Sequence, residues 1–217
     1  MVDLGGKPLI SYTIEAAKES GAFDAIIVTS DSDEVLELAK DLGCIAYERP
    51  EELATSRATV FDVCKDVIIT ISKWSLSTPD SFAVLLPTSP FRTAYDIHEA
   101  VKLFNGSEAE CVLSACEFEY PPDWALSLSS DESLNWKATL IPSDYENIDT
   151  KRQDLHPQYK HDGSIIVCDT KEFLHREDWH QMMRIIPYLI PRERAVDIDE
   201  PIDLKWAEFL LGERNGN

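Results

Sequence analysis

The sequence predicts an α/β fold in which helices cover both faces of a mostly parallel sheet. Short apolar runs that suit buried strands alternate with amphipathic segments of ten or more residues. The chain has 217 residues, a length that fits one large domain or two small ones. Its hydrophobic content of 44% is enough for a sizeable core.

The first half of the chain reads as alternating helices and strands. Pro8 opens a helix over 8–20, because proline suits a first helical turn, and Gly43 ends a helix that starts at Ser32 and Asp33. An apolar stripe at every third or fourth position predicts a third helix over 59–73. The apolar runs between these helices predict strands over 25–29 and 44–47.

The second half continues the alternation with one interruption. Strands are expected over 82–86, 111–116 and 164–168, helices over 94–104 and 201–211, and the apolar run 185–190 leads to the acidic end of the chain. Residues 118–162 carry several prolines and little regular period. This excursion from the sheet is interpreted as a lid or as a partner-binding arm.

Charge and cysteine content exclude several classes of protein. The net charge of −20 makes nucleic acid a poor partner, and no apolar stretch is long enough to span a bilayer. The five cysteines form no C-x-x-C pair, which favours buried free thiols in a reducing cytosol. The histidines lack the spacing of a zinc site.

The most informative motif is Asp197-Ile198-Asp199, which follows an apolar run and precedes the last helix. On a β-strand the two carboxylates would share one face at the strand's carboxyl end, where open α/β sheets bind ligands. Such a pair suits Mg²⁺, a hard cation that takes oxygen ligands. The alternative is that Asp199 only caps the helix that begins with Pro201.

Other stretches leave two interpretations open. Gly5 and Gly6 let backbone amides approach a phosphate, or they form a plain turn. Thr88 and Ser89 lie between prolines in a loop after a buried strand, where they either contact a ligand or lead into a helix cap. Arg152 suits a carboxylate or phosphate, although a surface salt bridge explains it equally well.

These stretches together resemble the acylneuraminate cytidylyltransferases, or CMP-sialic acid synthetases, over nearly the whole chain. The similar stretches are, in order, Gly5–Ile10, Phe23–Asp24, Val28–Ser32, Arg49–Ala54, Leu85–Arg92, Arg152–Asp154 and Asp197–Asp199. The order and spacing of the set make the match specific, whereas a single P-T-S-P or D-x-D would be weak.

The resemblance implies a single Rossmann-like α/β/α domain of the nucleotide-diphospho-sugar transferase type over 1–217. It also implies transfer of CMP from CTP to a nonulosonic acid with release of pyrophosphate. By the family pattern, the catalytic residues are Arg152, Asp197 and Asp199, of which the two aspartates hold Mg²⁺. The implied substrate-binding residues are Thr88, Ser89, Arg92, Gln153 and Asp162, and the implied nucleotide-binding residues are Gly5, Gly6 and Thr59. The family is usually dimeric and cytoplasmic, and the excursion would reach the partner or cover the active site.

The chain departs from the family pattern in ways that bear on activity. Family members begin with a central strand and a phosphate loop ahead of Gly5, and this sequence starts after them. We therefore expect weak or no CTP turnover from the chain as given. Leu86 stands where glutamine is frequent and Asp162 where asparagine is frequent, which suggests a sugar acid other than neuraminate. Arg57 replaces a small hydroxyl residue, which puts the contact at Thr59 in doubt.

Two competing functions remain open from the sequence. One is a nucleotidyltransferase for another sugar and another nucleotide, which a comparison of CTP with UTP and GTP distinguishes. The other is a binding protein with a degenerate nucleotide site, which binding measurements with CTP and Mg²⁺ distinguish.

Overall fold

The computed structural model describes residues 1–75, 78–130, 136–140, 151 and 156–215. The chain forms two compact units. One comprises Met1–Ala115 together with Asp162–Asn217, and the other comprises Cys116–His161. The second unit has nearly the bounds of the predicted excursion, although its role stays a prediction.

Six helices and ten strands occur in the described residues. The helices are α1 Leu9–Ser20, α2 Asp33–Asp41, α3 Val60–Ser75, α4 Ala94–Asn105, α5 Thr170–Leu174 and α6 Pro201–Asn215. The strands are β1 Asp3–Leu4, β2 Lys7–Pro8, β3 Ile27–Ser30, β4 Ile45–Glu48, β5 Ser81–Val84, β6 Cys111–Glu117, β7 Leu126–Ser130, β8 Trp136–Leu140, β9 Tyr159–Asp169 and β10 Ile185–Leu189. The α/β class and the alternation predicted from the sequence are confirmed.

The main sheet has four strands in the order β10-β6-β9-β5, and β3 forms a separate parallel pair with β4. Strand β10 runs parallel to β6, whereas β5 runs antiparallel to β9. Strand β9 is also antiparallel to β6, since the amide of Asp169 bonds Glu110 while Ile165 bonds Ser114. The sheet is therefore mixed, because β9 runs opposite to the other three strands. A strand parallel to its neighbour would have required a longer crossover connection.

Alternating residues of β9 divide the core into two layers. Ile165 and Val167 face a cluster that includes α1 and α4, whereas Ile166 and Cys168 face a cluster that includes α3. Side chains on a strand alternate between faces, so one apolar run supplies both layers. Each fully buried aliphatic side chain of this kind contributes about 1.5–3 kcal/mol. The result is the predicted arrangement of helices on both sides of a sheet.

The N-terminus of α4 is held by a capping box. The hydroxyl of Thr93 accepts a hydrogen bond from the amide of Asp96, and the carboxylate of Asp96 accepts one from the amide of Thr93. Such a reciprocal pair satisfies two of the amides that every helix start leaves unbonded. This cap fixes the direction of the chain just after the Leu85–Arg92 loop.

Three features of the described residues bear on the remaining sequence expectations. The second unit contains an antiparallel hairpin of β7 and β8, with Leu126 opposite Leu140, which the sequence analysis did not predict. All five cysteines are free, and Cys111, Cys116 and Cys168 are buried, as expected. Within the described part of the chain, no helix is long and apolar enough to cross a membrane.

Candidate active site

The reversed direction of β9 brings two distant parts of the chain to one edge of the sheet. Val84 near the end of β5 lies opposite Ile166 of β9. Because the strands are antiparallel, the residues that precede Ile166 lie beside those that follow Val84. Asp162 therefore comes to the edge at which β5 ends and the Leu85–Arg92 loop begins. Open α/β sheets bind their ligands at this carboxyl edge.

Arg92 is the buried centre of this region, with only 2% of its surface exposed. Its Nη1 donates to the hydroxyl of Thr13 on α1 at 2.7 Å, and its Nη2 donates to the carbonyl of Leu86. Burial lowers the pKa of Arg92 to about 9, whereas the carboxylates of Asp162 and Asp197 act in the opposite direction. Arg92 therefore stays charged at neutral pH and ties the loop to α1.

Several polar atoms around Arg92 are buried without a hydrogen-bond partner. They are Arg92 Nε, Ser89 Oγ, Asp162 Oδ1 and Asp197 Oδ1. Most buried polar groups in proteins are hydrogen-bonded, and an unbonded one costs about 1–3 kcal/mol. A concentration of such atoms at a ligand-binding edge indicates a site that completes its hydrogen bonds with a bound molecule or ion.

Gly163, the residue after Asp162, lies near Asp197 and has a backbone conformation that favours glycine. A side chain placed on Gly163 would lie 3.9 Å from Asp197 Oδ2 and 3.7 Å from Leu86 Cδ1, and the backbone there has a φ of +77°. Only glycine adopts this conformation at little cost. The other oxygen of Asp162 accepts a hydrogen bond from Ser164. The structure thus brings together the predicted residues Ser89, Arg92, Asp162 and Asp197.

The acidic motif does not have the predicted strand geometry. Residues 195–199 belong to no strand, since β10 ends at Leu189. The amide of Ile198 donates to the carbonyl of Thr88 at 2.9 Å, which fixes the segment to the opposite loop. Asp197 is half-buried and Asp199 is exposed. The prediction that both carboxylates lie on one strand face is therefore wrong, because the chain leaves the sheet before the motif.

The alternative role of Asp199 as the helix cap is also not what the structure shows. The side chain of Asp203 accepts hydrogen bonds from the amides of Asp199 and Glu200, at 3.1 and 2.7 Å, where α6 begins. Asp203 thus performs the capping, since a carboxylate in the first turn satisfies unbonded amides. The carboxylate of Asp199 is left exposed and available to a ligand.

The donor chemistry of the motif suits a hard cation in part. Asp197 has a buried oxygen without a partner, and Asp199 adds a second carboxylate two residues on. Two carboxylates and the phosphates of a substrate are a common ligand set for Mg²⁺. Among the residues that the structure describes, no three His, Cys, Asp or Glu side chains form a metal-binding group.

Comparison with known proteins bears on the family of this chain. Residues 1–75 match the model of the family described as cytidylyltransferase. The N-acylneuraminate cytidylyltransferase of Escherichia coli O18:K1:H7 is 31% identical over 96% of this chain. The CMP-N,N'-diacetyllegionaminic acid synthase of Legionella pneumophila is 29% identical over 96%, and the pseudaminic acid cytidylyltransferase of Campylobacter jejuni is 28% identical over 97%.

The chain is similar to the nonulosonic acid cytidylyltransferases over nearly its whole length. The resemblance predicted from the sequence is thereby confirmed. This cytidylyltransferase relative spans 47%, about half, of the length of the Escherichia coli protein, whereas it spans 87% of the Legionella protein.

A solved structure supports the fold of this cytidylyltransferase relative. CMP:2-keto-3-deoxy-manno-octonic acid synthetase, in complex with CTP, superposes with a TM-score of 0.69 at 14% identity. The match covers 98% of this chain and 91% of the other. At that identity the likeness concerns the fold alone, and it confirms the predicted α/β class.

Gly5 and Gly6, predicted to bind the nucleotide, form the turn of the β1–β2 hairpin. Both have positive φ, at 61° and 86°, and the amide of Gly6 donates to Asp3 at 2.8 Å. A Cβ on Gly5 would meet the end of the Leu211 side chain, which can move, so the positive φ rather than packing is what favours glycine there. The plain-turn interpretation accounts for both residues, and a nucleotide contact stays a prediction.

Thr59, also predicted to bind the nucleotide, forms the start of α3 with Asp62. Its hydroxyl donates to the Asp62 carboxylate at 2.6 Å, and the Asp62 amide donates back to the hydroxyl at 3.1 Å. Thr59 is exposed, and these contacts explain it as a helix cap. Arg152 and Gln153 lie outside the described residues, so their predicted contacts with substrate stay predictions.

A cavity lies near the carboxyl ends of β3 and β4, apart from the residues around Arg92. It has a volume of about 630 Å³ and is lined by Asp31, Glu48, Arg49, Pro50, Glu51 and Ala54. Arg49 donates to the carbonyl of Thr29 at 3.0 Å, while Arg49 Nε and Thr29 Oγ1 are buried without a partner. Arg49–Ala54 belongs to the stretches that carry the family resemblance, but its residue types alone predict no role. The available signal was a basic residue directly after a predicted strand.

Proposed function

We propose that the chain carries the catalytic unit of a cytidylyltransferase that transfers CMP from CTP to a sialic-acid-like nonulosonic acid. One observation carries the proposal. Arg92, Asp162 and Asp197 meet at the ligand-binding edge of a sheet with buried hydrogen-bonding capacity left open. The cytidylyltransferases to which the chain is similar supply the reaction class.

The roles that we propose for Ser89, Asp162 and Arg92 follow from the hydrogen bonds that their buried atoms can still form. The hydroxyl of Ser89 can donate or accept, and Asp162 Oδ1 accepts a hydrogen bond from a sugar hydroxyl or amide. The positive charge of Arg92 balances the negative charges of Asp162 and Asp197. Because Arg92 is enclosed by protein, it offers almost no exposed surface to a ligand. We therefore assign Arg92 to holding the carboxylates in place.

In the proposed reaction the anomeric hydroxyl oxygen of the sugar acid attacks the α-phosphorus of CTP. The new oxygen–phosphorus bond replaces the bond between the α-phosphorus and its bridging oxygen, so pyrophosphate leaves, and the proton of the hydroxyl passes to water. The protein does little covalent work, so orientation and charge neutralisation dominate. A Mg²⁺ bound by Asp197 and Asp199 would neutralise the phosphate charge. Binding and orienting the sugar acid is the task of Ser89 and Asp162.

The cavity at the ends of β3 and β4 is proposed to receive the nucleoside part of CTP. Its polar wall and the unpartnered Nε of Arg49 suit a base with hydrogen-bond acceptors. Its volume of about 630 Å³ lies in the usual range for small-molecule sites. Replacing Arg49 by alanine should then raise the KM for CTP while changing the KM for the sugar acid little.

The proposal is tested by measuring pyrophosphate release from CTP, Mg²⁺ and a panel of nonulosonic acids. We would assay the 217-residue chain beside a form extended at its amino end, and compare CTP with UTP and GTP. Turnover that prefers CTP supports the proposal. A clear preference for UTP or GTP favours another nucleotidyltransferase, and absence of both turnover and metal-dependent CTP binding in the two forms favours a non-catalytic binding protein.

We further propose that the protein is a cytoplasmic homodimer. Its five free cysteines suit a reducing compartment, and the compact unit Cys116–His161 offers a separate element for association. Light scattering after gel filtration measures the oligomeric state. A monomeric mass that persists across protein concentrations would contradict the dimer.

A further inference from the structure

The segment that carries Asp197 has little regular structure to hold it. Between the end of β10 at Leu189 and the start of α6 at Pro201, the chain forms turns and irregular backbone. A residue that binds a ligand in such a segment depends on side-chain anchors, because no ladder of backbone hydrogen bonds fixes its position.

One anchor lies three residues before Asp197. The guanidinium of Arg194 forms two hydrogen bonds with Asp96, from Nε to Oδ2 at 3.0 Å and from Nη2 to Oδ1 at 2.8 Å. Asp96 is completely buried and belongs to the first turn of α4. Two parallel bonds of this kind fix the guanidinium in direction as well as in position.

Asp96 is held rigidly by groups other than Arg194. Its Oδ2 accepts from the amide of Thr93 at 2.9 Å and from its hydroxyl at 2.6 Å, while Oδ1 accepts from the hydroxyl of Tyr188 at 3.1 Å. Burial opposes ionisation, but the hydrogen bonds from Thr93 and Arg194 lower the pKa of Asp96 below its ordinary value. The carboxylate is therefore a fixed, charged point on the rigid N-terminus of α4.

A second anchor is Ile198, the residue directly after Asp197. The amide of Ile198 donates to the carbonyl of Thr88 at 2.9 Å, in the loop that also carries Arg92. Asp197 therefore lies between two fixed points, Arg194, which is bonded to α4, and Ile198, which is bonded to the loop.

We propose that the Asp96–Arg194 pair is a positioning pair, which sets the position of Asp197 relative to Arg92 and Asp162. The inference rests on the proposed function for its catalytic consequence. The structural part of the inference, that the pair orders residues 194–199, does not depend on the proposed function. Lysine cannot replace Arg194, because a single ammonium does not reproduce the two parallel hydrogen bonds.

The matched control is another buried carboxylate bound by arginines. Glu110 is 2% exposed and accepts from Arg176 at 3.1 Å and from the amide of Met183 at 2.9 Å, with Arg184 at 3.0 Å. It precedes the first residue of β6, away from the carboxyl edge of the sheet. Asp96→Asn and Glu110→Gln therefore remove similar buried charges at opposite ends of the fold.

The experiment measures hydrogen exchange of the Ile198 amide, resolved by NMR, in the full chain. We expect Asp96→Asn and Arg194→Lys each to reduce its protection by about tenfold or more, while Glu110→Gln changes it by less than about twofold at matched global stability. The Ile190 amide, which donates to Ala115, is the internal reference and should change little. If the control variant deprotects Ile198 equally, or if Arg194→Lys leaves it protected, the inference is overturned.

A kinetic readout then tests the catalytic consequence. In an active form, Arg194→Lys should lower kcat by about ten- to a hundredfold with little change in the KM for CTP, because a misplaced carboxylate weakens transition-state interactions. If Ile198 loses protection and kcat is unchanged, the pair is only structural and the positioning role is overturned. If the wild-type chain shows no turnover, the proposed function fails while the exchange result still decides the structural part.

Discussion

Two groups of buried charge lie at opposite edges of the main sheet, and they differ in how completely their carboxylate oxygens are bonded. Each also contains one arginine Nε without a partner, that of Arg176 in one group and that of Arg92 in the other. Around Glu110, one carboxylate oxygen accepts from Arg176 and Met183, and the other lies 3.0 Å from Arg184. Around Arg92, by contrast, Asp162 and Asp197 each keep one buried oxygen without a partner.

This difference distinguishes a buried charged group that stabilises the fold from one that can also bind a ligand. A carboxylate whose oxygens are all bonded has little capacity left for a ligand, so we assign Glu110 the structural role of joining β6 to the 176–184 segment. An unbonded buried oxygen costs free energy in the empty protein and recovers it when a donor or a cation arrives. Counting unsatisfied oxygens therefore distinguishes the candidate active site from an equally buried ion cluster.

The largest expected effect is the loss of turnover in Asp197→Asn. The substitution keeps the size of the side chain but removes the charge that a cation and its phosphates require, so kcat should fall by about a thousandfold. Steady-state pyrophosphate release measures it, with Glu193→Gln as the control because Glu193 is exposed in the same segment. Equal activity in the two variants would remove Asp197 from the mechanism.

The next largest effect is a loss of stability in Glu110→Gln. The substitution removes a buried charge that Arg176, Arg184 and the amide of Met183 contact, although Arg176 keeps its ion pair with Glu172. The free energy of unfolding should therefore fall by about 1.5–3 kcal/mol. Urea unfolding measures this change, and kcat of the folded variant should equal that of the wild type. A variant that keeps its stability but loses turnover would reverse the comparison between the two groups.

The sequence predicts the elements of this fold better than their directions. Apolar runs and caps identify α1, α4 and β6 to within a few residues, because these elements bury one face or both. The reversal of β9 is invisible in its composition, since a buried strand reads alike in either direction. Without that reversal, a residue at the start of a strand such as Asp162 would be expected at the wrong edge of the sheet.

The candidate site was partly predictable for the same physical reason. Asp197, Asp162 and Ser89 were identified by their residue types and their resemblance to a family, and the structure brings them together around Arg92. The position of the Asp197 side chain was not predictable, because a segment without secondary structure takes its shape from partners that are distant in the sequence. The Asp96–Arg194 pair joins residues 98 positions apart, and neither residue belongs to a recognisable motif.

A smaller effect concerns the dependence of stability on pH. A hydrogen bond from Met183 lowers the pKa of Glu110 below its ordinary value of 4.5, burial opposes this, and Arg176 and Arg184 add to the lowering. A depressed native pKa contributes stability that is present above the unfolded value and lost as the pH falls through the native value. Between about pH 5 and pH 3, the wild type should therefore lose stability more steeply than Glu110→Gln. Urea unfolding across this range measures the slopes, and equal slopes would contradict the assignment.

The smallest effect comes from a pair of buried serines. Ser89 and Ser114 are both completely buried, but only Ser114 is bonded to the main chain of β9, accepting from the amide of Ile165 at 2.8 Å. Ser114→Ala should cost about 1–3 kcal/mol of unfolding free energy, because it leaves that amide unbonded. Ser89→Ala removes a hydroxyl that has no partner, so stability should change by less than about 0.5 kcal/mol while the KM for the sugar acid rises. If Ser89→Ala instead destabilises the fold as much as Ser114→Ala, its hydroxyl is already satisfied in the free protein, and the open capacity at this edge is smaller than the structure indicates.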